Sequence, residues 1–433
     1  MAGMIPDPLA RPLGRIERFY WLLDQHSCTN FVLTAELDSG LTRRDLEGAL
    51  ERSWARHPRL RCRIAVDASG TVVLEPETAG PPGITEVEGP WRPIADAQLL
   101  ARFPAGSHPL IRCHWVPSAA GPAAVFTFAH GLLDAGSAAA WLMELLADAC
   151  GDGTAAPFPA HPAASDALYP ARYRGPRGLL ALLPVIAMDG VGKRFVGDPP
   201  PLPGAPPWET PRRTTTLQLD LNPQASTALL QRCRELGCTM QGALMAAQAT
   251  ALRAEHETDG PLPVGMAAAL DLRPWLEPPL EPGTLGNHVS LLPVTVKVDP
   301  SAPAAPLAVE LTRQLRAKLA RGTGHLFWNL IPPDWFFPPD ERSFPRLEAI
   351  GRAGPPATVV TNLGRLPDPP SALADQLRAL RFTMAPQQGS PLCTGVATLG
   401  GALRIDLCFD GAHLSEERRA RIVQRFAEAL EGL

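Results

Sequence analysis

A chain of 433 residues, 45% hydrophobic and 19% charged, is long enough for two cores of roughly 200 residues each and too apolar to be disordered. Its net charge of −4 gives no bulk electrostatic footprint for nucleic acid or for an anionic membrane. The segment up to Phe19, with Pro6, Pro8 and Pro12, lacks the apolar centre of a secretory signal, and no apolar run reaches the ~18 residues of a membrane span. The eight cysteines (Cys28, Cys62, Cys113, Cys150, Cys233, Cys238, Cys393 and Cys408) show no CxxC and no paired zinc spacing. They read as reduced thiols, mostly buried.

The first helix is expected over residues 13–27. A second is expected over 41–60, where Thr42 can cap, Leu46, Leu50 and Trp54 recur on one face, and Pro58 stops it. Segments 61–67 and 71–77 read as strands around the Ala68-Ser69-Gly70 turn, and 109–117 and 123–130 as two more, separated by Gly121-Pro122. A helix follows over 137–150 with Trp141, Leu142, Leu145 and Leu146 inward. From Gly151 to Pro211 the chain is rich in proline and glycine, weakly periodic, and reads as a crossover holding a domain boundary. Its apolar run, residues 179–188 (LLALLPVIAM), reads as a buried helix interrupted at Pro184. A surface anchor or part of an acyl-binding wall are the alternatives.

Thr214 to Pro223 restarts with a strand, followed by a helix to Leu236 and an Ala-rich helix over 238–256. Strands are expected at 263–274 and 289–298, an amphipathic helix at 305–321, and a strand running into a turn at 357–366. Residues 393–410 read as a hairpin turning at Gly400-Gly401, and a helix capped by Ser415 closes the chain. Each half therefore mixes strands and helices, an α/β (α+β) architecture twice over.

One pair of residues carries candidate chemistry. In AVFTFAHGLLDAGSAAAWLMELL, His130 ends an apolar strand and Gly131 lets the backbone turn. A neutral imidazole, with its ordinary pKa near ~6.5, can act as a base at neutral pH. Asp134, just before a helix, can accept helical N–H groups or pair with a distant cation. The spacing alone is weak, because a buried histidine with one hydrogen bond is the commoner occurrence.

Five segments in order strengthen it: LTRRDLEGALERSWARHPRLR, SHPLIRCHWV, FAHGLLDAGS, ALDLRPWLEPPLEPGTLGNHVSLLPV and VVTNLGRLPDP. Together the chain resembles the chloramphenicol acetyltransferase-like, condensation-domain superfamily of HxxxD acyltransferases, which includes alcohol acyltransferases, wax ester synthases and polyketide-associated acyltransferases. The resemblance implies two chloramphenicol acetyltransferase-like subdomains, each a mixed sheet flanked by helices, pseudo-dimeric about a central tunnel. The expected boundaries are 1–165 for the first subdomain, 166–213 for the crossover and 214–433 for the second. It implies His130 as general base and Asp134 as its orienter, paired with Arg273 in a structural ion pair. Gly131, Gly136 and Asn287 would support the motif, Asn287 with its neighbour His288 fixing a turn; His288 is a lesser candidate base. Thr361 and Asn362 are candidates for the oxyanion or acceptor side, and His57 and His108 are expected to pack or cap.

Two departures stand out. Ala129 occupies the position where many condensation and wax-ester enzymes carry a second histidine, and Ala135 replaces the glycine that usually follows the aspartate. The first argues against a peptide-synthetase condensation domain more than against activity. The implied reaction is transfer of an acyl group from a thioester to a hydroxyl, or less readily an amine, of a small molecule, with no metal and no bound cofactor. Acyl-CoA or a phosphopantetheinyl carrier protein would be the co-substrate. A carrier protein would call for a basic patch, for which Arg172, Arg174, Arg177, Lys193 and Arg194 are candidates. The competing readings are a stand-alone condensation-type domain working on carrier-bound substrates and an inactive scaffold. No nucleic acid is expected as a partner; a cytoplasmic location fits a biosynthetic role, and a monomer suffices for one tunnel per chain.

Overall fold

The computed structural model describes residues 9–152, 163–205, 212–331, 336–354, 356–387 and 389–433. Pro6, Pro8 and part of the proline-rich crossover fall outside these residues. The N-terminal half contains β1 (Arg11–Pro12), α1 (Arg15–Ser27), β2 (Phe31–Leu37), α2 (Arg43–Arg56), β3 (Cys62–Val66), β4 (Val72–Pro76), β5 (Ile84–Glu86), α3 (Trp91–Leu99), β6 (Ile111–Val116), β7 (Ala123–Phe128) and α4 (Ala135–Ala149). The crossover carries α5 (Gly175–Val196). The second half contains β8 (Thr214–Leu221), α6 (Pro223–Leu236), α7 (Met240–Arg253), β9 (Leu262–Asp271), β10 (Val289–Val298), α8 (Ala304–Ala320), α9 (Thr323–Leu326) and α10 (Phe344–Ala353). It ends with β11 (Thr358–Arg365), α11 (Ser371–Ala374), β12 (Leu377–Met384), β13 (Leu392–Leu399), β14 (Ala402–Asp410) and α12 (Glu416–Glu431).

Two mixed sheets organise the molecule. One runs β12-β2-β7-β6-β5 and the other β10-β9-β11-β13-β14-β8, with a small β1-β4-β3 sheet beside the first. β7 lies inside its sheet and is buried along its whole length, which explains its uninterrupted apolar sequence. Its end delivers His130 into α4, whose capping aspartate is Asp134. Under the sheet α4 packs on α2; Trp141 donates to Ser53, and the buried Glu144 accepts from His57 at 2.8 Å. In the second half α7 is buried nearly all round by α8 and α12, as an Ala-rich helix without a polar face must be. At the β13–β14 turn, Gly400 and Gly401 both adopt positive φ (55° and 78°), the conformation a two-residue hairpin asks of its central pair.

Three features differ from the sequence reading. First, β12, which lies well beyond the crossover in the second half of the chain, pairs antiparallel with β2 from Met384↔Phe31 to Leu377↔Leu37 and so completes the first sheet. Arg381 on that strand, 4% exposed, ties the sheets together through Glu36 of β2 (2.5 Å), Asp220 of β8 (2.7 Å) and Asp406 of β14 (3.5 Å). Second, residues 179–188 do not form a buried, interrupted helix. α5 runs through Pro184 without a break and turns most of its large apolar side chains outward. Third, Gly131 does not have positive φ. It is glycine because a Cβ there would press on Ile64 (3.2 Å) and Trp21 (3.3 Å), so it sets how closely the strand end approaches α1.

Candidate active site

His130 sits at the seam of the two halves, 6% exposed. Its ring stacks on Tyr20 of α1 at 3.8 Å between centroids and meets Phe31 of β2 edge-on at 5.3 Å. Nδ1 lies 3.2 Å from the carbonyl of Leu133, so it carries the proton and donates. The side chain of Asn287 donates to the backbone carbonyl of His130 at 2.5 Å. Nε2 is thus left as the lone-pair nitrogen, with no protein partner among the described residues. Burial pulls the imidazole pKa down to about 4, while its own carbonyl, the charge of Asp134 and the Leu133 carbonyl favour the protonated ring. The resting ring is neutral, and the groups around it would stabilise the cation formed when Nε2 takes a proton.

Asp134 does not touch the imidazole; its carboxylate is occupied elsewhere. Oδ1 accepts from the Ser137 amide (2.8 Å), Oδ2 from the His288 amide (2.7 Å), and Nη2 of Arg273 donates to both, at 3.1 and 2.9 Å. Burial works against this charge, but Arg273, His288 and the two amides outweigh it and hold the pKa below the ordinary carboxylate value. Arg273 is itself saturated: Asp271 accepts from Nη1 at 2.9 Å, and the Thr284 carbonyl accepts from Nε and Nη2. The aspartate therefore clamps the loop after β7 to the segment 284–288 of the second half. Ala135 costs nothing here, since it is an ordinary helical residue without positive φ. Gly136 likewise has ordinary φ; a Cβ there would stand 3.4 Å from Oδ1 of Asp134.

His288 serves the clamp as well. Its Nδ1 pairs with Ser165 at 2.7 Å, and Ser165 donates to the Asn287 carbonyl at 2.8 Å. Burial, reinforced by Arg273, pushes its pKa down to about 3. Gly286 makes room for that ring, because a Cβ would stand 2.6 Å from its Nε2. Neither Thr361 nor Asn362 is among the residues lining the cleft at His130, and the Asn362 carboxamide accepts from the Gly364 amide in its own turn. His57 is the C-cap of α2, and His108 packs beside Trp54.

His130 lines a narrow cleft of about 260 Å³ of atom-free space, open to solvent, to which both halves contribute. Ser27, Cys28, Thr29 and His130 come from the first half, Arg212 from the end of the crossover and residues 384–387 from the second half. Arg212 spans the seam, donating to the carbonyls of Ser27 (3.2 Å) and Pro386, with Asp410 at 3.9 Å. Burial lowers its pKa, although Asp410 opposes the shift. Cys28, opposite Arg212, is the one non-glycine residue with positive φ among the described residues (57°). Nothing in the local sequence marks Arg212 or Tyr20; they reach the site through the packing of the halves. Groups of three or more His, Cys, Asp and Glu side chains arranged to hold a metal do not occur among the described residues.

Residues 210–407 match the family described as phthiocerol/phthiodiolone dimycocerosyl transferase C-terminus. No curated protein sequence matches the chain. Among solved structures it is similar to polyketide synthase associated protein 5 from Mycobacterium tuberculosis, with 17% identity, 99% of each chain covered and a TM-score of 0.65. It is also similar to the first condensation domain of the calcium-dependent antibiotic synthetase, with 16% identity over 97% of this chain and 95% of that one and a TM-score of 0.67. The trichothecene 15-O-acetyltransferase TRI3 from Fusarium sporotrichioides aligns over 97% of this chain and 94% of its own, with 12% identity and a TM-score of 0.69.

Proposed function

We propose that this chain, whose fold is that of the chloramphenicol acetyltransferase-like, condensation-domain superfamily, is an acyltransferase that moves an acyl group from a thioester to a hydroxyl or amine, with His130 as general base. The observation that carries the reading is the state of His130. It is neutral, its Nδ1–H is held by the Leu133 carbonyl, and Nε2 is free at a cleft between the two halves. The match of residues 210–407 to a transferase family supports it.

The acceptor O–H or N–H would give its proton to Nε2 as the heteroatom attacks the thioester carbonyl. The tetrahedral oxyanion then collapses, the C–S bond breaks, and the leaving thiolate recovers the proton from the imidazolium. Asp134 acts through geometry: with both oxygens engaged by Ser137, His288 and Arg273, it positions the loop that aims the ring. Arg212, a buried cation lining the same cleft, is the group best placed to stabilise the oxyanion. A hydroxyl acceptor suits a neutral base better than an alkylamine, which is protonated at neutral pH.

The second reading is a stand-alone condensation-type domain acting on carrier-bound substrates, favoured by the comparable likeness to a condensation domain. One experiment separates the readings: thiol release from a panel of acyl-CoAs with mixed alcohols and amines, for the unaltered protein and His130→Ala. A 10²–10⁴-fold collapse in the variant supports CoA-dependent transfer. Release that survives the substitution removes His130 from the mechanism. Turnover only with an acylated carrier protein selects the second reading.

A further inference from the structure

α5 is an inverted helix. Leu179, Leu180, Leu183, Ile186, Met188 and Phe195 are 58%, 67%, 60%, 49%, 45% and 81% exposed. The five from Leu179 to Met188 alone present roughly 500 Å² of apolar surface, at the upper end of the ~300–600 Å² of the largest patch on an ordinary monomer. Only the opposite face packs inward. Leu182 joins Tyr169, Tyr173 and Trp328, and Gly178 allows the helix to lie on the Tyr173 backbone. Leu330 (50% exposed) and Trp275 (44%) extend the patch, since the segment Phe327–Leu330 packs on α5 and the Trp275 carbonyl meets His325 beside Tyr173.

The rim is cationic. Arg172, Arg174, Arg177 and Arg194 are all exposed at the two ends of α5. Among the described side chains of residues 171–196 there is no carboxylate; Asp198, just beyond the helix, is exposed. The side chains of Asp189 and Lys193, the fifth cation of the expected basic patch, lie outside the described residues. An apolar ridge with arginines at both ends and a tryptophan beside it matches a lipid interface: the ridge enters the acyl boundary and the guanidinium groups reach phosphates. A second copy fits less well, since a two-fold contact through this face would set the same four arginines against each other. No helix among the described residues is long and apolar enough to cross a membrane, so the mode is lying on the surface, not spanning.

We propose that α5 docks this protein onto an anionic lipid surface. The inference stands apart from the acyl-transfer reading, since it concerns a different face. The two touch at one point: Leu182 on the inner side of α5 shares its cluster with Tyr20, the residue stacked on His130. The test is flotation with phosphatidylcholine vesicles and with mixed phosphatidylcholine–phosphatidylglycerol vesicles, using the full chain. The unaltered protein is expected to float with the mixed vesicles, more strongly than with the neutral ones. The exposed-face variant Leu180→Ser/Leu183→Ser/Phe195→Ser should bind roughly 100-fold more weakly with an unchanged circular dichroism spectrum. Arg172→Gln/Arg174→Gln/Arg177→Gln should lose the preference for anionic vesicles alone. Failure to float, or equal flotation of the triple serine variant, overturns the proposal. So does a dimer seen by light scattering that the serine variant abolishes, because the ridge would then belong to a second copy.

Discussion

Replacing Arg273 by alanine tests the clamp on which the site depends. The side chain is 3% exposed and provides both donor contacts to Asp134, one to Asp271 and two to the Thr284 carbonyl. Its removal leaves the Asp134 carboxylate buried with two backbone amides and no counter-charge. Breaking a buried pair from one side costs ~3–5 kcal/mol, because the surviving charge stays desolvated. For a chain this long, with roughly 2 cal/mol/K of unfolding entropy per residue, that corresponds to a fall of ~3–6 °C in the melting temperature. Urea unfolding gives the energy directly, and a double-mutant cycle with Asp134→Asn isolates the pair. The asparagine keeps an acceptor for one amide but removes the charge, so the double variant should recover ~1.5–3 kcal/mol relative to additivity. Thiol release should fall in parallel, since the loop that aims His130 loosens. A loss below ~1 kcal/mol for Arg273→Ala, or strict additivity in the cycle, would show that the pair does not hold the loop and would refute the positioning role given to Asp134.

Four further outcomes follow from the geometry. With the His130 pKa at about 4, the acid limb of the kcat/KM profile should lie well below the ~6.5 of a free histidine; a limb at 6.5 would mean an exposed ring. The same burial has a stability sign. Unfolded histidines take up protons near pH 6.5, whereas His130 and His288 resist until about 4 and about 3, so stability is full above 6.5 and is lost as pH falls. Each contributes a few kcal/mol, visible as a lower urea midpoint at pH 5 than at pH 7. Arg381→Met leaves Glu36 and Asp406 without their shared counter-charge at the contact between the two sheets, Asp220 keeping Arg404, and chemical unfolding should register ~3–5 kcal/mol of lost stability. Arg212→Ala should lower kcat for thiol release by ~10²-fold or more with little change in KM, as expected for a lost oxyanion donor; unchanged turnover would remove Arg212 from the chemistry.

The legible parts of the sequence were those whose cause is local. β10 alternates residue by residue, Thr42 and Ser415 cap the helices they precede, and Gly400-Gly401 fits only a tight hairpin. Both members of the Asp134–Arg273 contact could be named, yet only from an ordered series of segments, since 139 residues separate them. What escaped is long-range. β12 carries Arg381 near its middle, and nothing nearby says that its partner is β2. Arg212 stands at the end of a proline-rich stretch and becomes notable only when Ser27 and Pro386 close around it. α5 misled for the opposite reason: an apolar run is ordinarily interior, and only the fold reveals that Leu179, Leu180 and Leu183 point away from the core.

The exchange of β12 changes what kind of object this chain is. Cut at the crossover, the N-terminal piece would keep β2 as an exposed edge with its ladder groups unpaired, and the C-terminal piece would carry a sticky strand with nowhere to dock. The halves are therefore not modules that gene fusion or shuffling can trade one at a time. Expressed separately, each should be insoluble; expressed together, they should find each other through that strand. Such a split pair would yield a reporter of assembly whose readout is the restoration of the seam where His130 lies.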